Sequence, residues 1–78
     1  MTLKEFREVA NSPVTDYHYY LESETGDTMN IIIFNSEDND IENITNIRFL
    51  DCIADNYKVI NVGATYNTIH VMCEKISQ

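Results

Sequence analysis

The feature that most constrains the fold is a strict alternation of apolar and polar side chains near the C-terminus. The apolar members of one run are Ile69, Val71 and Cys73, and those of the preceding run are Ile60, Val62 and Ala64. Alternation with a period of two is typical of a strand that buries one face. Because the short polar break Thr65–Asn67 separates the runs, we predict a β-hairpin in which each apolar set shares one face.

A second hairpin is predicted in the first half of the chain. Its first strand runs from Tyr17 to Ser23 and is rich in aromatic residues, which suit a pleated surface. Gly26, which is free to take a positive φ, lies in the turn that follows. The chain then returns from Met29 to Phe34. Because apolar side chains of this return strand point both ways, we predict that it lies in the interior of the sheet.

Two short helices complete the predicted elements. Thr2 and Glu5 fit a capping box at the start of the first helix, which is expected to stop at Asn11–Pro13. Apolar residues at intervals of three or four favour a second helix from about Ile47 to Asp55. A strand through Ile47 and Phe49 is the alternative for that segment.

These elements predict an α+β fold in the order α-β-β-α-β-β. A four-stranded, mainly antiparallel sheet would pack on one or two short helices. Residues 1–78 are expected to form a single domain, because a chain of 78 residues with 44% hydrophobic residues builds one core.

The charge balance restricts the classes of partner. The chain has 13 acidic and 5 basic residues and a net charge of -8. Direct binding to nucleic acid or to an anionic membrane is disfavoured, since both require Lys or Arg. A charged partner is therefore expected to be basic. The longest apolar run is Ile31–Phe34, so we expect a soluble cytoplasmic protein without a membrane span.

No set of residues points to catalysis, to a cofactor or to a metal. The two histidines and two cysteines lack the close spacings that prepare a zinc site, and no serine lies in a nucleophile elbow. Glycine-rich phosphate loops are also missing. We therefore predict that the protein is not an enzyme and has no cofactor or metal site. Cys52 and Cys73 are predicted to be buried free thiols.

The carboxylates are unevenly placed, and this gives the first candidate binding surface. Eight acids and no Lys or Arg lie between Asp16 and Ile47. A field of one sign either keeps a small protein soluble or steers it onto a basic groove, where carboxylates take the place of phosphates. The predicted partner-binding residues are Glu22, Glu24, Asp27, Glu37, Asp38, Asp40 and Glu42.

The second candidate surface is the outward face of the sheet. Its predicted members are His18, Tyr20, Ile32, Phe34, His70 and Met72. If the helices cover the opposite face only, these residues form an apolar and aromatic patch of the kind found in protein interfaces. Within this set the possible homodimer face is Tyr20, Phe34, His70 and Met72. The alternative is that the second helix covers the patch.

The layout of the chain resembles that of a known class of proteins. The Thr-Leu-Lys-Glu-Phe opening, the aromatic first hairpin, the acidic loop and the final hairpin from Lys58 to Val71 are similar to small acidic proteins encoded by phages and mobile elements of low-GC Gram-positive bacteria. Some members of that class inhibit bacterial defence systems, and these include anti-CRISPR proteins that block the nucleic-acid path of an effector. The resemblance implies a host protein as partner and carries over no named functional residue. A small structural or regulatory protein that acts as a homodimer or adaptor is the alternative.

Overall fold

The order of helices and strands is α-β-β-α-β-β, as predicted, and the fold class is α+β. The computed structural model describes residues 1–10, 14–35 and 40–76. The helices are α1 (Leu3–Val9) and α2 (Ile41–Ile53), and a short 3-10 turn (Ala54–Asn56) follows α2. The strands are β1 (Asp16–Glu22), β2 (Thr28–Ile33), β3 (Tyr57–Thr65) and β4 (Thr68–Lys75). Among the described residues, no helix has the length and apolar character needed to cross a membrane.

The four strands form one mixed sheet in the order β2-β1-β4-β3. Each hairpin, β1–β2 and β3–β4, is antiparallel, and the two hairpins meet through the parallel pair β1 and β4. In this register His18 lies opposite Ile32 on one side and opposite His70 on the other. The prediction of a mainly antiparallel four-stranded sheet is therefore confirmed.

The helices pack on one face of this sheet, which we call the covered face. Leu3, Leu50 and Ala54 from the helical segments contact the inward side chains of the strands. The strand members of this core are Tyr17, Tyr19, Leu21, Ile31, Ile33, Val71 and Cys73. Because successive side chains of a strand alternate between faces, the residues between them lie on the opposite face, which we call the open face.

The prediction that the Met29–Phe34 strand lies inside the sheet is wrong, because β2 is an edge strand. Its outer edge is bonded by two asparagines of α2. Asn43 accepts a hydrogen bond from the Phe34 N–H (2.8 Å) and donates one to the Phe34 carbonyl (2.9 Å). Asn46 donates to the Ile32 carbonyl at 3.5 Å. At the Phe34 end of β2, side-chain amides of the helix therefore take the place of a neighbouring strand.

The second helix is confirmed, but it begins at Ile41 rather than at about Ile47, and the strand alternative through Phe49 is wrong. Asp40 is the N-cap, and its carboxylate accepts hydrogen bonds from the Glu42 and Asn43 amides. This cap satisfies donors that would otherwise have no partner in the first turn.

The first helix starts as the sequence predicts. Thr2 Oγ1 accepts from the Glu5 amide (3.1 Å), and the Glu5 carboxylate accepts from the Thr2 amide (2.8 Å). The hydrogen bond from the Thr2 backbone lowers the pKa of Glu5, since it favours the charged carboxylate. The predicted helix stop at Asn11–Pro13 lies outside the described residues.

The face predicted for the β3 residues is wrong at Ile60. Val59 lies opposite Cys73, and Asn61 lies opposite Met72, so Ile60 is an extra residue in the ladder. This bulge puts Ile60 in a cleft with Tyr20 and Met72, on the open face, while Val62 and Ala64 stay on the other face. One inserted residue reverses the alternation of side chains between the two faces, and no residue type at this position predicts the bulge.

The prediction of two buried thiols holds for only one of the cysteines. Cys73 is buried in the core, whereas Cys52 lies exposed on α2. Burial raises the pKa of the Cys73 thiol to about 11, because the thiolate is poorly solvated there.

Candidate functional site

Three of the predicted partner-binding acids lie together at the turn between β1 and β2. We call Glu22, Glu24 and Asp27 the turn group. The turn is closed by the Ser23 amide, which donates to the Asp27 carbonyl (2.8 Å), and by Gly26, whose φ is +90°. Thr25 Oγ1 donates to the Asp27 carboxylate at 3.1 Å. These bonds fix the backbone of the turn and the Asp27 carboxylate at one end of the hairpin.

Two more of the predicted acids lie at the opposite end of the same hairpin. Asp40 and Glu42, which we call the helix-start group, occupy the cap and first turn of α2. They line a cleft with Ile32 and Phe34. The N-terminal end of a helix also stabilises negative charge there. Glu37 and Asp38 lie outside the described residues.

The two groups are separated by the length of the hairpin. The β1–β2 register runs from Tyr17 opposite Ile33 to Glu22 opposite Thr28. At about 3.4 Å per residue this register spans about 17 Å. Between its ends, the open face of the two strands carries His18, Tyr20, Asn30 and Ile32 and no carboxylate. The acids thus form two separate groups on one rigid support.

Cations are distributed unevenly around these groups. Within residues 1–10, 14–35 and 40–76 the ion pairs are Arg7–Asp51 (3.3 Å) and Lys4–Asp55 (3.9 Å), both on the helical side. No acid of the turn group or the helix-start group is in an ion pair with a described residue. The turn group does have cationic neighbours. Lys75 shares a cleft with Glu24. Lys58 on β3 lies opposite Glu74 on β4, and Glu74 in turn lies opposite Glu22 on β1.

The open face carries a cluster of three rings, His18, Tyr20 and His70, which we call the ring cluster. The rings of His18 and Tyr20 are stacked with centroids 3.9 Å apart, and those of His18 and His70 are 5.5 Å apart. His70 Nδ1 is hydrogen-bonded to the Tyr20 hydroxyl and its Nε2 to the Thr65 hydroxyl, both at 2.8 Å. The ring cluster is half-buried even though the helices lie on the other face.

The structure brings three of the four residues of the predicted dimer face together. Met72 lies opposite Tyr20 in the register, two residues along β4 from His70. Phe34, which is 40% exposed, lies beyond the end of β2 beside the start of α2. The alternative that α2 covers the whole patch is wrong, since α2 packs on the covered face and reaches only the β2 edge.

The chemistry available to the ring cluster is limited by its hydrogen bonds. Both ring nitrogens of His70 are bonded to hydroxyl groups, and His18 Nε2 lies 3.0 Å from the Asn30 side-chain oxygen. In the described part of the chain no group of three or more His, Cys, Asp and Glu residues could hold a metal ion. The cluster is a rigid aromatic surface held by its own polar contacts.

Sequence reasoning missed the buried role of Arg7. Its guanidinium, on α1, donates to the Tyr19 hydroxyl (3.4 Å) and to the Asp51 carboxylate (3.3 Å). Burial acts to lower the pKa of Arg7, but the hydrogen bond to Tyr19 and the charge of Asp51 raise it above its ordinary value. Arg7 thus joins α1 to β1 and α2, and no local sequence signal marks this contact.

Comparisons of the chain with protein-family models, with curated proteins and with solved structures find no match in any of the three. Functional residues therefore have to be argued from geometry and charge. The two features that the structure offers are the pair of acidic groups on the first hairpin and the uncharged open face beside them.

Proposed function

We propose that the protein is a non-enzymatic inhibitor that binds a basic, nucleic-acid-binding surface of a host defence protein. The turn group and the helix-start group would make the contact. The observation that carries the proposal is that these five carboxylates lie towards the two ends of one hairpin and have no ion pair with a described residue. Unpaired carboxylates on a chain of net charge -8 attract Lys and Arg that otherwise bind phosphate.

The rigid spacing of the two groups supports the same proposal. Strand pairing fixes the turn group, and the hydrogen bonds between Asn43 and Phe34 fix the start of α2 against the end of β2. The paired register between them is about 17 Å long, so the two groups would meet a basic groove at separate points along its length. A preorganised surface loses little conformational freedom on binding.

The test is competition with DNA for RNA-guided nucleases of Gram-positive bacteria. A labelled DNA duplex is bound to each nuclease, and displacement of that DNA by the protein is measured at low and high salt. We expect displacement at low salt that weakens as salt screens the charges. The variant Glu24→Gln/Asp27→Asn/Glu42→Gln is expected to displace DNA about tenfold less well, since each exposed charge pair contributes roughly 0.2–1 kcal/mol.

The matched control removes the same number of charges elsewhere. The variant Glu5→Gln/Glu8→Gln/Asp51→Asn changes three exposed carboxylates on the two helices, outside the two groups. We expect it to displace DNA almost as well as the unchanged protein. Equal losses in both triple variants, or displacement that is insensitive to salt, would contradict a role for the two acidic groups.

A second candidate function is a small structural or regulatory homodimer or adaptor joined through Tyr20, Phe34, His70 and Met72. The observation that favours it is the contiguity of Tyr20, His70 and Met72 on the face that the helices leave uncovered. The oligomeric state of a Met72→Lys variant tests it, because a buried interface there would not tolerate the charge.

A further inference from the structure

We infer that two copies of this chain pair through the outer edges of their β3 strands, with Gly63 of each copy on the two-fold axis. Such pairing joins the two sheets into one continuous sheet. It does not depend on the proposed inhibitory function, because no residue of the turn group or the helix-start group lies at this edge.

Within the described part of the chain, the outer edge of β3 is covered over its first half by Met1 and Thr2. The Val59 amide donates to the Met1 carbonyl at 2.9 Å, and Thr2 forms a bridge with Lys58. Beyond the bulge at Ile60, the Val62 amide is bonded to the side chain of Asn61 at 2.9 Å, so it points away from β4. Ala64, two residues along, turns its N–H and C=O to the same side, and no described residue bonds to them there.

Gly63 lies between these two outward-facing residues, and the fold of one copy does not require a glycine there. Its φ is not positive, and a Cβ added to it would meet no atom within 4 Å. A glycine inside a strand weakens that strand and often marks a place where another backbone approaches closely. On a two-fold axis the two Gly63 residues form a non-hydrogen-bonded pair, which is the closer of the two antiparallel pair types.

The register that follows is self-complementary. With Gly63 on the axis, Val62 of each copy lies opposite Ala64 of the other, and each such pair exchanges both of its N–H···O=C bonds. Ile60 of one copy then comes near Tyr66 of the other. Their exposures in the single chain are 51% and 92%, and Val62 is 48% exposed. Pairing covers apolar surface as well as backbone groups.

The distribution of charge selects a second copy as the occupant. Two chains with a net charge of -8 repel each other, and this repulsion is weakest where the surface carries no charge. Residues 59–73 contain no Asp, Glu, Lys or Arg. Exposed strand edges usually carry a charge or a proline that blocks pairing, and β3 has neither beyond Lys58.

The experiment measures the mass of the complete chain by sedimentation equilibrium. Short edge pairing is weak, so concentrations from about 10 µM to about 1 mM are needed. We expect the mass to rise from the 9.0 kDa of one chain to twice that value. Val62→Lys and Ala64→Pro are each expected to weaken association at least about tenfold, the first by adding charge and the second by removing an outward N–H. If Ala64→Pro does not fold, Val62→Lys alone decides.

The control is Val14→Lys, which makes the same substitution at a position that is 80% exposed and outside the strands. It is expected to leave the dimer unchanged, and hydrogen exchange at the Ala64 amide is expected to slow as concentration rises. A chain that stays monomeric throughout overturns the inference. A dimer that resists Val62→Lys but is broken by Met72→Lys also overturns it, because pairing would then use the open face.

Discussion

The two hairpins of this sheet differ in charge and in how their outer edges are treated. The outer edge of β2 is bonded by Asn43 and Asn46 of α2, and acids lie at both ends of its hairpin. Among the described residues, the segment that bonds the outer edge of β3 from outside the strand is Met1–Thr2, near its start, and the hairpin is uncharged from residue 59 to residue 73. The proposed contact with a basic partner and the proposed pairing with a second copy therefore use opposite edges of the sheet.

This contrast has a simple physical basis. A charged hairpin repels other copies of the chain, and α2 occupies backbone groups at the Phe34 end of its edge. A neutral hairpin with free N–H and C=O groups has no such barrier. The amide side chains of α2 add to this contrast, because they occupy backbone groups of Ile32 and Phe34 that a neighbouring strand would otherwise use.

The largest expected effect comes from removing that edge cover. Asn43→Ala deletes two hydrogen bonds of a side chain that is only 3% exposed and leaves the Phe34 N–H and carbonyl without their partner. We expect the free energy of unfolding, measured in urea, to fall by about 1–3 kcal/mol, even though Ala is the better helix former.

Asn46→Ala is the matched control for that loss. It makes the same substitution on the same helix and removes a single bond of 3.5 Å. Its cost should be below about 1 kcal/mol. If Asn43→Ala and Asn46→Ala lower the free energy of unfolding equally, the two hydrogen bonds between Asn43 and Phe34 do not stabilise the β2 edge.

The sequence predicts the parts of this fold that depend on strict alternation. Tyr17, Tyr19 and Leu21 in β1 and Val71 and Cys73 in β4 alternate regularly, and all of them lie in the core. These two strands form the parallel centre of the sheet, where burial on one face is complete. Period-two patterns are informative where only one face is buried.

The failures come from contacts that a local pattern does not contain. β2 has apolar residues on both faces because Ile32 lies beside His18 on the open face, not because β2 has a strand on each side. The start of α2 was missed because Ile41 is 82% exposed and contributes no buried position to the helical pattern. The division of the acids into two groups depends on the β1–β2 register and on the Asp40 cap, which no count of charges reveals.

A smaller effect, on association, is expected from Asn61. Its side chain bonds the Val62 amide at 2.9 Å and so occupies one of the groups that a second β3 strand needs. Asn61→Ala should free that amide and tighten pairing between copies about threefold, which sedimentation equilibrium detects as a lower dissociation constant. Asn30→Ala, at a position on β2, serves as the control. Unchanged or weaker association in Asn61→Ala would contradict the proposed register.

The smallest expected effect concerns the covered half of the β3 edge. The capping box between Thr2 and Glu5 positions Met1 and Thr2 against Lys58 and Val59. The bond from the Thr2 backbone lowers the pKa of Glu5 in the folded chain, so the carboxylate stabilises the fold above the pKa of the unfolded chain. This contribution is lost as pH falls through the lowered pKa of the folded chain.

Glu5→Gln measures that contribution. The unfolding midpoint of the variant should lie slightly below that of the unchanged protein at pH 7, and the gap should close between about pH 5 and pH 3. Glu8→Gln removes the same charge from the same helix without touching the capping box. The difference between its unfolding midpoint and that of the unchanged protein should not change in this way between pH 7 and pH 3. If the difference in unfolding midpoint for Glu5→Gln is constant from pH 7 to pH 3, the Glu5 carboxylate does not hold Met1 and Thr2 over the start of β3. The boundary between the covered and the free part of the β3 edge would then need another cause.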